Sequence, residues 1–556
     1  MVSPPIRVTG GAVSEYYSEH SSDIDSVGLA ERLKETQKGD LALASGRSTP
    51  AMRGRLRQDK SQFMRYSGVS NKAGGKANAI ETRLQQLCAA PLFSAKVEDA
   101  LAADPNVAAQ LALGKPLYPQ FSMLGNRIGE LNKMNGNFDN VDGGHPDSLV
   151  FLNMNEPFST FICGSQGSGK SHTLSCMLEG ALLRNNPVGN IEFPSAAMVF
   201  HYDQFSSHVA SQVCEAAYLS SPELSVRVMV SPTNYNSMVK LYSNLPGLEG
   251  KPKPRVIPFH IKESQLSTEI MKKLMSCAEP EVVMPLYLER VFSILKDMAM
   301  ERRVGFDYNA FRSKLKTEKF SKEQRDPLEI RLSLVDDFLK RYQRLKLPES
   351  SKTAMNHAWT FEAGSLTIVD LSCPFISVAD ACSMFSVALS LFLESRKAHE
   401  SRVIVLDEAH KFLSDQRETA HFTADLISVI AQQRHLAARV IIATQEPTLS
   451  PRLLELSNVT IVHRFASPRW FEALKQYLAG SESSTRGAHR GKLFEEIVRL
   501  STGEALVFAP TALIKRDAKG KSAAGIASVK AQGTGVSKIV IRKRVTVDGG
   551  KSVTMF

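Results

Sequence analysis

The residues best suited to do chemistry occupy positions 164–171, where the chain reads Gly-Ser-Gln-Gly-Ser-Gly-Lys-Ser. This spacing is the phosphate-binding pattern G-x-x-x-x-G-K-[ST]. Its glycines allow successive backbone N–H groups to point at phosphate oxygens, and the start of the following helix adds partial positive charge. We expect Lys170 to reach the β- and γ-phosphates of ATP and the Ser171 hydroxyl to ligate Mg²⁺. The predicted nucleotide contacts are Gly164, Ser165, Gln166, Gly167, Ser168, Gly169, Lys170, Ser171 and His172.

The segments on either side of this loop have the patterns that the motif requires. Apolar residues at 151–155 and at Ser159–Cys163 predict strands, and residues 172–183 predict a helix. A strand, a loop and a helix in this order are the context in which the pattern binds phosphate. The alternative is a chance glycine-rich turn, which would not need such flanks. The sequence therefore predicts an α/β fold of the P-loop NTPase type.

A second pair of candidate catalytic residues follows an apolar run much later in the chain. Residues 403–406 predict a buried strand that ends at Asp407 and Glu408. In an open α/β sheet, ligands bind at the carboxyl ends of the strands. We expect Asp407 to hold Mg²⁺ and Glu408 to activate the attacking water as general base. The alternative, two adjacent carboxylates on a solvated loop, is disfavoured by the complete phosphate loop.

Two further strands are expected to end at the same edge of the sheet. Residues 439–445 predict a strand whose last residue, Gln445, would sense the γ-phosphate or orient the water, with Thr444 as the second candidate. A strand at 197–203 ends at Asp203, which either touches the nucleotide site or begins a turn. For Gln445, too, the alternative is an ordinary residue of a turn.

Composition and apolar spacing divide the rest of the chain. Ser, Gly, Pro and charged residues dominate its first part, a composition typical of disorder. Apolar residues at i, i+3 and i+4 predict a helical insertion whose apolar stripes pack in a core. The predicted organisation is a disordered N-terminus at 1–75, a helical lead-in at 76–115, an ATPase domain at 116–514 with the insertion at about 262–345, a flexible linker at 515–535 and a C-terminal β-hairpin at 536–556.

The composition limits where the protein acts. The 556 residues are 43% hydrophobic and 22% charged, with a net charge of +11. There is no apolar run long enough to span a membrane and no apolar stretch of a secretory signal at the start. The seven cysteines include no C-x-x-C pair, which fits reduced thiols. We therefore expect a soluble intracellular protein of the cytoplasm or nucleus, with no membrane partner. The positive charge is compatible with a nucleic-acid partner.

Residues 407–410 spell Asp-Glu-Ala-His, a signature of helicases with two tandem motor domains. Roughly 100 residues of folded chain follow Gln445, which is too few for a second such domain and its linkers. Residues 432–439 loosely resemble a helicase arginine motif, but they precede the strand that such a motif should follow. We therefore reject the tandem-domain helicase.

Four segments besides the nucleotide motifs carry a family resemblance. They occupy residues 364–372, 443–450 with its Ala-Thr-Gln-Glu-Pro, 458–465 with its His-Arg end, and 500–508 with its Gly-Glu-Ala. Over residues 145–510 the chain resembles the HerA/FtsK superfamily of ring-forming, DNA-pumping ATPases, and the HerA-like branch most. The resemblance implies a RecA/ASCE-like central β-sheet flanked by helices.

The chain also departs from the family's pattern. It has Asp203-Gln-Phe where the family often has Gly-Glu-Tyr after the aspartate, and Arg434-His-Leu-Ala replaces a common R-x-x-G. No N-terminal β-barrel of the HerA kind is predicted. These differences leave the nucleotide chemistry intact and bear on substrate handling and partner docking.

The resemblance implies a hexameric ring that hydrolyses ATP at subunit interfaces and threads duplex DNA through a basic channel, with a nuclease or another protein as partner. An arginine of the neighbouring subunit would stabilise the transition state. The first candidates are Arg434 and Arg464, followed by Arg439 and Arg469, and the alternative for each is a salt bridge or a solvated helix face. The basic residues 542–544 would contact phosphates or form the polar face of a strand that braces a neighbour.

Two other functions stay open at this point. One is an ATP-dependent switch or scaffold that acts on protein partners through the insertion and the N-terminus. The other is a degenerate mobile-element ATPase related to conjugation motors, against which the lack of a membrane segment weighs. Glu408 favours hydrolysis over nucleotide binding alone, since a general base is needed only for the reaction.

Overall fold

The computed structural model describes residues 75–131, 137–184, 186–204, 212–275, 286–301, 306–340, 343, 345–398, 400–413, 419–478, 487–521 and 527–547. The disorder predicted for the N-terminus falls almost entirely outside these residues and stays a prediction. In the described part of the chain, no helix is both long and apolar enough to cross a membrane.

Strands and helices alternate through most of the described chain. The strands are β1 (Leu92–Ser94), β2 (Phe121–Leu131), β3 (Phe138–Asn140), β4 (Leu149–Asn153), β5 (Ser159–Cys163), β6 (Gly189–Asn190), β7 (Ala196–His201), β8 (Ser225–Val230), β9 (Arg255–Pro258), β10 (Ser365–Asp370), β11 (Arg402–Leu406), β12 (Ala438–Thr444), β13 (Val459–Val462), β14 (Glu504–Phe508), β15 (Lys515–Lys521), β16 (Ala527–Lys530) and β17 (Ser537–Ile541). The helices are α1 (Gly75–Cys88), α2 (Ala95–Ala102), α3 (Pro105–Ala112), α4 (Lys170–Leu182), α5 (Tyr235–Ser243), α6 (Thr268–Met275), α7 (Leu286–Glu301), α8 (Tyr308–Thr317), α9 (Lys322–Lys340), α10 (Glu349–Asn356), α11 (Val378–Glu394), α12 (Ala420–Ala431), α13 (Gln433–Leu436), α14 (Pro451–Glu455), α15 (Pro468–Lys475) and α16 (Gly487–Arg499).

One large sheet carries the candidate site. Its strands lie in the order β1-β4-β2-β17-β14-β13-β5-β12-β11-β7-β10-β8-β9, with β3 and β6 paired to β2. From β13 to β9 all neighbours are parallel, whereas the strands from β14 to β1 pair antiparallel. Every residue of β5, β7, β11 and β12 is buried, as expected for parallel strands covered on both faces. The predicted α/β P-loop NTPase fold, with a central sheet flanked by helices, is confirmed.

Apolar side chains alternate between the two faces of this sheet. Along β7, Met198 and Phe200 join the core cluster that contains α11, α12 and the helices between 268 and 340. Ala197 and Val199 join the other cluster, which contains the apolar residues of α4 and α5. This alternation places the helix that follows the phosphate loop on one face and the α6–α9 helices on the other.

Between 262 and 345, where a helical insertion is predicted, the structure has the four helices α6 to α9. The insertion is fastened to the sheet-covering helices by Lys273, whose Nζ lies 3.2 Å from the Asp425 carboxylate of α12. Its apolar side chains belong to the main core cluster, which is the packing role predicted for them.

Three segments differ from the predicted organisation. Residues 515–535, predicted to be a flexible linker, contain β15 and β16, which pair antiparallel. The tail forms the single strand β17 between β14 and β2 instead of a hairpin within residues 536–547. The helical lead-in contains β1, which pairs with β4, so the sheet begins before residue 116. Strand partners far along the chain decide the tail and the lead-in, and composition carries no information about such partners. β15 and β16 instead pair with each other, which a composition typical of linkers does not predict.

Candidate functional site

The phosphate loop joins β5 to α4, and its backbone takes conformations that only glycine adopts easily. Gly167 has a φ of +72° and Gly169 a φ of +110°. Gly164 is needed for space, because a Cβ there would lie 2.7 Å from the Cβ of His463. The Ser165 N–H donates to the carbonyl of Arg464 at 2.8 Å. The loop is therefore held open as a cradle that side chains at the glycine positions would fill or distort.

Lys170 begins α4, and its side chain is buried against the loop. The Nζ donates to the Ser165 carbonyl at 3.1 Å. Burial lowers the pKa of this ammonium, and the negative charges of Glu408 and Asp407 oppose that change. The phosphate loop and the two carboxylates therefore act on each other within one site. Ser171 follows Lys170 and is partly exposed.

The strand order explains how residues so distant in sequence meet. β12 lies between β5, which leads into the phosphate loop, and β11, which ends before Asp407 and Glu408. Gln445 directly follows β12. Because the three strands are parallel, their carboxyl ends share one edge, as the sequence predicts.

The Glu408 carboxylate is buried and held from one side only. Its Oε1 accepts a hydrogen bond of 3.0 Å from Nε2 of Gln445. Its Oε2 lies 3.4 Å from Nδ1 of His410, but that nitrogen already accepts from the Gln445 N–H at 3.5 Å. Among the described residues, no donor hydrogen-bonds to Oε2. The backbone of Glu408 has a φ of +50°, which is uncommon for a residue with a side chain. One buried carboxylate oxygen is therefore left to accept a proton or a water.

The Asp407 carboxylate faces two residues from other segments. Its Oδ2 lies 3.4 Å from Nδ1 of His201 and accepts from the Cys214 thiol at 3.6 Å. Burial raises the pKa of Asp407, but the contact with the His201 ring, the charge of that ring and the Cys214 thiol outweigh burial and lower it. Burial alone would lower the pKa of His201, whereas the contact with Asp407 and the charge of Asp370 raise it to about 9. Asp407 is therefore ionised and firmly oriented.

A buried histidine braces the phosphate loop from behind. Nδ1 of His463 lies 2.9 Å from the Glu504 carbonyl, which can only accept, so Nδ1 carries the proton. Nε2 then accepts from the Thr173 hydroxyl of α4 at 2.9 Å. Burial lowers the pKa of His463 to about 4. A neutral His463 thus connects β13 to the first turn of α4.

No family model and no curated protein matches the chain. Solved structures do match it. VirB4 of Thermoanaerobacter pseudethanolicus matches with a TM-score of 0.37 at 11% identity, over 76% of this chain and 97% of that chain. The bacterial conjugative coupling protein TrwB matches with a TM-score of 0.38 at 12% identity, over 70% of this chain and 86% of that chain. The genome packaging NTPase B204 of Sulfolobus turreted icosahedral virus 2 gives 0.21 at 15% identity, over 30% of this chain and 72% of that chain.

These low identities and TM-scores carry no argument about the family of this chain, so the HerA/FtsK resemblance stays a prediction from its sequence segments. The described residues form one large sheet and one two-stranded sheet. A second motor domain of the helicase kind is therefore not found in the described part of the chain.

The four arginine candidates have different surroundings. Arg434 in α13, Arg464 after β13 and Arg469 in α15 are exposed. Arg439 at the start of β12 is buried instead, and its guanidinium donates to the Met154 carbonyl and, at 3.4 Å, to the Ser195 hydroxyl. Its place in the interior of the subunit excludes it as a donor to a neighbouring subunit.

Two other predicted contacts are engaged with protein groups. The Asp203 carboxylate lies 3.2 Å from Nζ of Lys411, so it forms an ion pair at the edge of the site. Nε2 of His172 donates to the Arg542 carbonyl at 2.8 Å. The side chain of His172 therefore faces the C-terminal segment, which leaves its backbone N–H as the group that a nucleotide would meet.

The C-terminal segment is bound to the side of α4. Glu179 of α4 is fully buried, and its Oε2 lies 2.7 Å from Nη1 of Arg542. The same carboxylate accepts from the N–H groups of Val545 and Thr546 and from the Thr546 hydroxyl at 2.6 Å. Arg544 is buried beside it and lies 3.3 Å from Glu215. The basic residues 542 and 544 thus brace a neighbouring helix, which is one of the two roles predicted for them.

Sequence reasoning missed four residues of this region. They are His201, Cys214, His463 and Glu179. For Glu179 the sequence does contain a signal, because a lone carboxylate inside the apolar run of α4 indicates a buried partner of opposite charge, and Arg542 is such a residue. His201 and Cys214 gave none, since only the parallel pairing of β7 with β11 brings His201 beside Asp407.

Proposed function

We propose that this protein is an ATP-hydrolysing motor of the HerA/FtsK type. The observation that carries the proposal is the Glu408 carboxylate, which is buried at the edge of the phosphate-loop site and whose Oε2 meets no hydrogen-bond donor among the residues that the structure describes. A buried, unsolvated carboxylate oxygen is a strong acceptor for the proton of a bound water. A protein that only bound nucleotide would have no use for such a group.

The residues present fit ATP and Mg²⁺. The glycine cradle leaves room for phosphate oxygens, since a Cβ at Gly167 would meet no atom within 4 Å and is excluded only by its φ of +72°. Lys170 would exchange the Ser165 carbonyl for phosphate oxygens. The Ser171 hydroxyl and the Asp407 carboxylate would hold Mg²⁺, which neutralises phosphate charge when bound.

In the proposed reaction, the oxygen of a water attacks the γ-phosphorus while the bond between that phosphorus and the bridging oxygen of ADP breaks. Glu408 takes the proton that the water loses. Gln445 keeps the Glu408 carboxylate in place through its 3.0 Å hydrogen bond. In this role Gln445 would orient the base, and as the residue that follows β12 it would also meet the γ-phosphate.

We further propose that the active unit is a homo-oligomer, in the form of a hexameric ring, and that a neighbouring subunit supplies an arginine. Arg464 and Arg434 remain the first candidates, with Arg469 after them, because all three side chains are exposed. An arginine delivered from a second subunit would stabilise the charge on the transferred phosphoryl group and couple the subunits.

Duplex DNA is the proposed polymer, supported by the net charge of +11. The test is steady-state ATP hydrolysis by the purified protein with and without duplex DNA, with Glu408→Gln as the blank. We expect a several-fold stimulation that falls as salt rises and is absent from the blank. Hydrolysis that is robust and indifferent to DNA would overturn the DNA-motor proposal and leave the ATPase proposal standing. A nuclease partner would be sought only after stimulation is observed.

The second candidate function is an ATP-dependent switch that acts on protein partners. The observation that favours it is apolar exposure on the insertion, where Met300 and Ile330 are each 70% exposed. Apolar side chains exposed to water are stabilised when a partner covers them, so these two residues are candidate contacts for a protein. Insensitivity of hydrolysis to DNA, combined with loss of a protein partner on Ile330→Ser, would favour this function.

A further inference from the structure

Three side chains with metal-binding atoms meet beside the nucleotide site. One ligand atom each from His201, Cys214 and Asp407 lies within 4.8 Å of the other two, and all three residues are buried. The set combines a nitrogen, a sulfur and an oxygen. Imidazole, thiolate and carboxylate are the three ligand types that zinc uses in proteins.

The groups behind these ligands orient them as metal ligands are oriented. Nε2 of His201 is 3.2 Å from the Gln212 carbonyl, which can only accept, so Nε2 carries a proton. Nδ1 then faces Asp407 Oδ2 at 3.4 Å, without the geometry of a hydrogen bond. A neutral His201 would therefore face Oδ2 with a lone pair on Nδ1, and a cation between the two atoms would bind both. A histidine that donates one nitrogen to a backbone carbonyl and offers the other to a metal is a recurrent arrangement.

Cys214 is also fixed from behind. Its N–H donates to the Tyr242 hydroxyl at 3.2 Å, and that hydroxyl donates to the Asp370 carboxylate at 2.6 Å. The chain of contacts Cys214–Tyr242–Asp370 holds the sulfur toward Asp407. The position of Cys214 is therefore fixed, and beside it the buried Nδ1 of His201 has no hydrogen-bond partner among the described residues.

We infer that His201, Cys214 and Asp407 form a binding site for one divalent cation with the ligand preferences of zinc. The thiol sulfur selects zinc over magnesium, which prefers oxygen ligands alone. Three protein ligands leave a fourth position open, as in sites that retain a water. Because Asp407 is also the carboxylate proposed to hold Mg²⁺, zinc in this site would withdraw Asp407 from the nucleotide and inhibit hydrolysis.

The test uses the full-length, chelator-treated protein without nucleotide, titrated with Co²⁺ as a spectroscopic substitute for Zn²⁺. We expect a thiolate-to-cobalt charge-transfer band that saturates at one Co²⁺ per chain and is bleached by equimolar Zn²⁺. Cys214→Ser should abolish the band, whereas Cys88→Ser, which removes a thiol elsewhere, should keep it. His201→Asn should weaken zinc binding by at least about 100-fold. This exceeds the loss of affinity that is typical when a residue that only hydrogen-bonds to a metal ligand is replaced.

Absence of the band in the wild-type protein would overturn the inference and assign the space between Nδ1 and Oδ2 to a proton. A band that survives Cys214→Ser would overturn it as well. Lys170→Ala should keep the band even though it blocks ATP turnover, so failure of the metal site and failure of the ATPase proposal are distinguishable. If Cys214→Ser does not fold, the loss of affinity in His201→Asn decides the result.

Discussion

Nη1 of Arg542 lies 2.7 Å from the Glu179 carboxylate, and this contact fastens the C-terminal segment to the helix behind the phosphate loop. Both side chains are almost fully buried, at 3% and 0% exposure. Arg542 also donates to the Cys176 carbonyl of the same helix at 2.7 Å. The position of α4, and hence of Lys170 at its start, therefore depends on residues near the other end of the chain.

This contact predicts that Glu179→Gln is strongly destabilising. The change leaves Arg542 buried without a charged partner, and breaking one half of a buried ion pair costs about 3–5 kcal/mol. Urea unfolding should show this loss. Glu495→Gln is the matched control, because its ion pair with Arg499 is exposed and should change stability by less than about 1 kcal/mol. Equal stability of the two variants would contradict a holding role for Glu179.

Removing the donor to Glu408 should slow the chemical step without weakening nucleotide binding. Gln445→Ala deletes the 3.0 Å hydrogen bond to Oε1. Because a hydrogen bond to a charged group contributes about 1.5–3 kcal/mol, we expect kcat to fall roughly 10- to 100-fold. Single-turnover hydrolysis and binding of a non-hydrolysable ATP analogue separate the two steps.

Thr444→Val is the control for Gln445→Ala. The Thr444 hydroxyl donates to the Glu446 carbonyl at 2.8 Å and has no contact with Glu408 among those described. The Thr444→Val variant should therefore keep most of the ATPase activity. A larger loss in Thr444→Val than in Gln445→Ala would transfer the orienting role to the threonine.

A neighbouring subunit's arginine can be detected by mixing variants. Arg464→Ala should abolish hydrolysis while ATP binding persists, and Lys170→Ala should abolish it through the phosphate loop. In a mixed oligomer, an intact loop from the first variant meets an intact Arg464 from the second, and part of the activity should return. The same mixture with Arg434→Ala tests the other candidate. If neither mixture regains activity, the arginine that stabilises the transition state is a different residue or acts within its own subunit.

His463 predicts a loss of stability on acidification. Its pKa falls from 6.5 to about 4 on folding. Between these two pKa values the unfolded chain binds a proton that the folded chain refuses, so stability rises with pH across this window. Below this window the ring is protonated in both states, and the buried charge costs roughly 3 kcal/mol relative to a ring with an unchanged pKa.

The measurement for His463 is urea unfolding at several pH values between 4 and 7 for the wild-type protein and His463→Gln. The difference between the two curves should shrink as pH falls, since only the wild-type protein carries the penalty. His145→Gln serves as the control, because its side chain is 61% exposed. Parallel curves for wild-type protein and His463→Gln would contradict the lowered pKa.

The sequence by itself determined the elements that form from local pattern. β5 occupies the predicted residues, and β11 and β12 differ from prediction by one residue at their ends. An unbroken apolar run between turn residues favours a buried strand, and the glycine spacing at 164–171 is specific for phosphate binding. The carboxyl ends of parallel strands must share one edge, which is why the meeting of Lys170, Glu408 and Gln445 could be predicted.

Only the tertiary structure decided which distant residues pair. The tail forms a strand of the main sheet because it pairs with β14 and β2. Arg439, a candidate for the arginine that a neighbouring subunit supplies, is buried in the interior. The Glu179 and Asp407 clusters likewise join segments far apart in the sequence. Contacts of this kind depend on strand order and burial, and a charged or sulfur-containing residue looks the same in sequence whether it faces water or a partner.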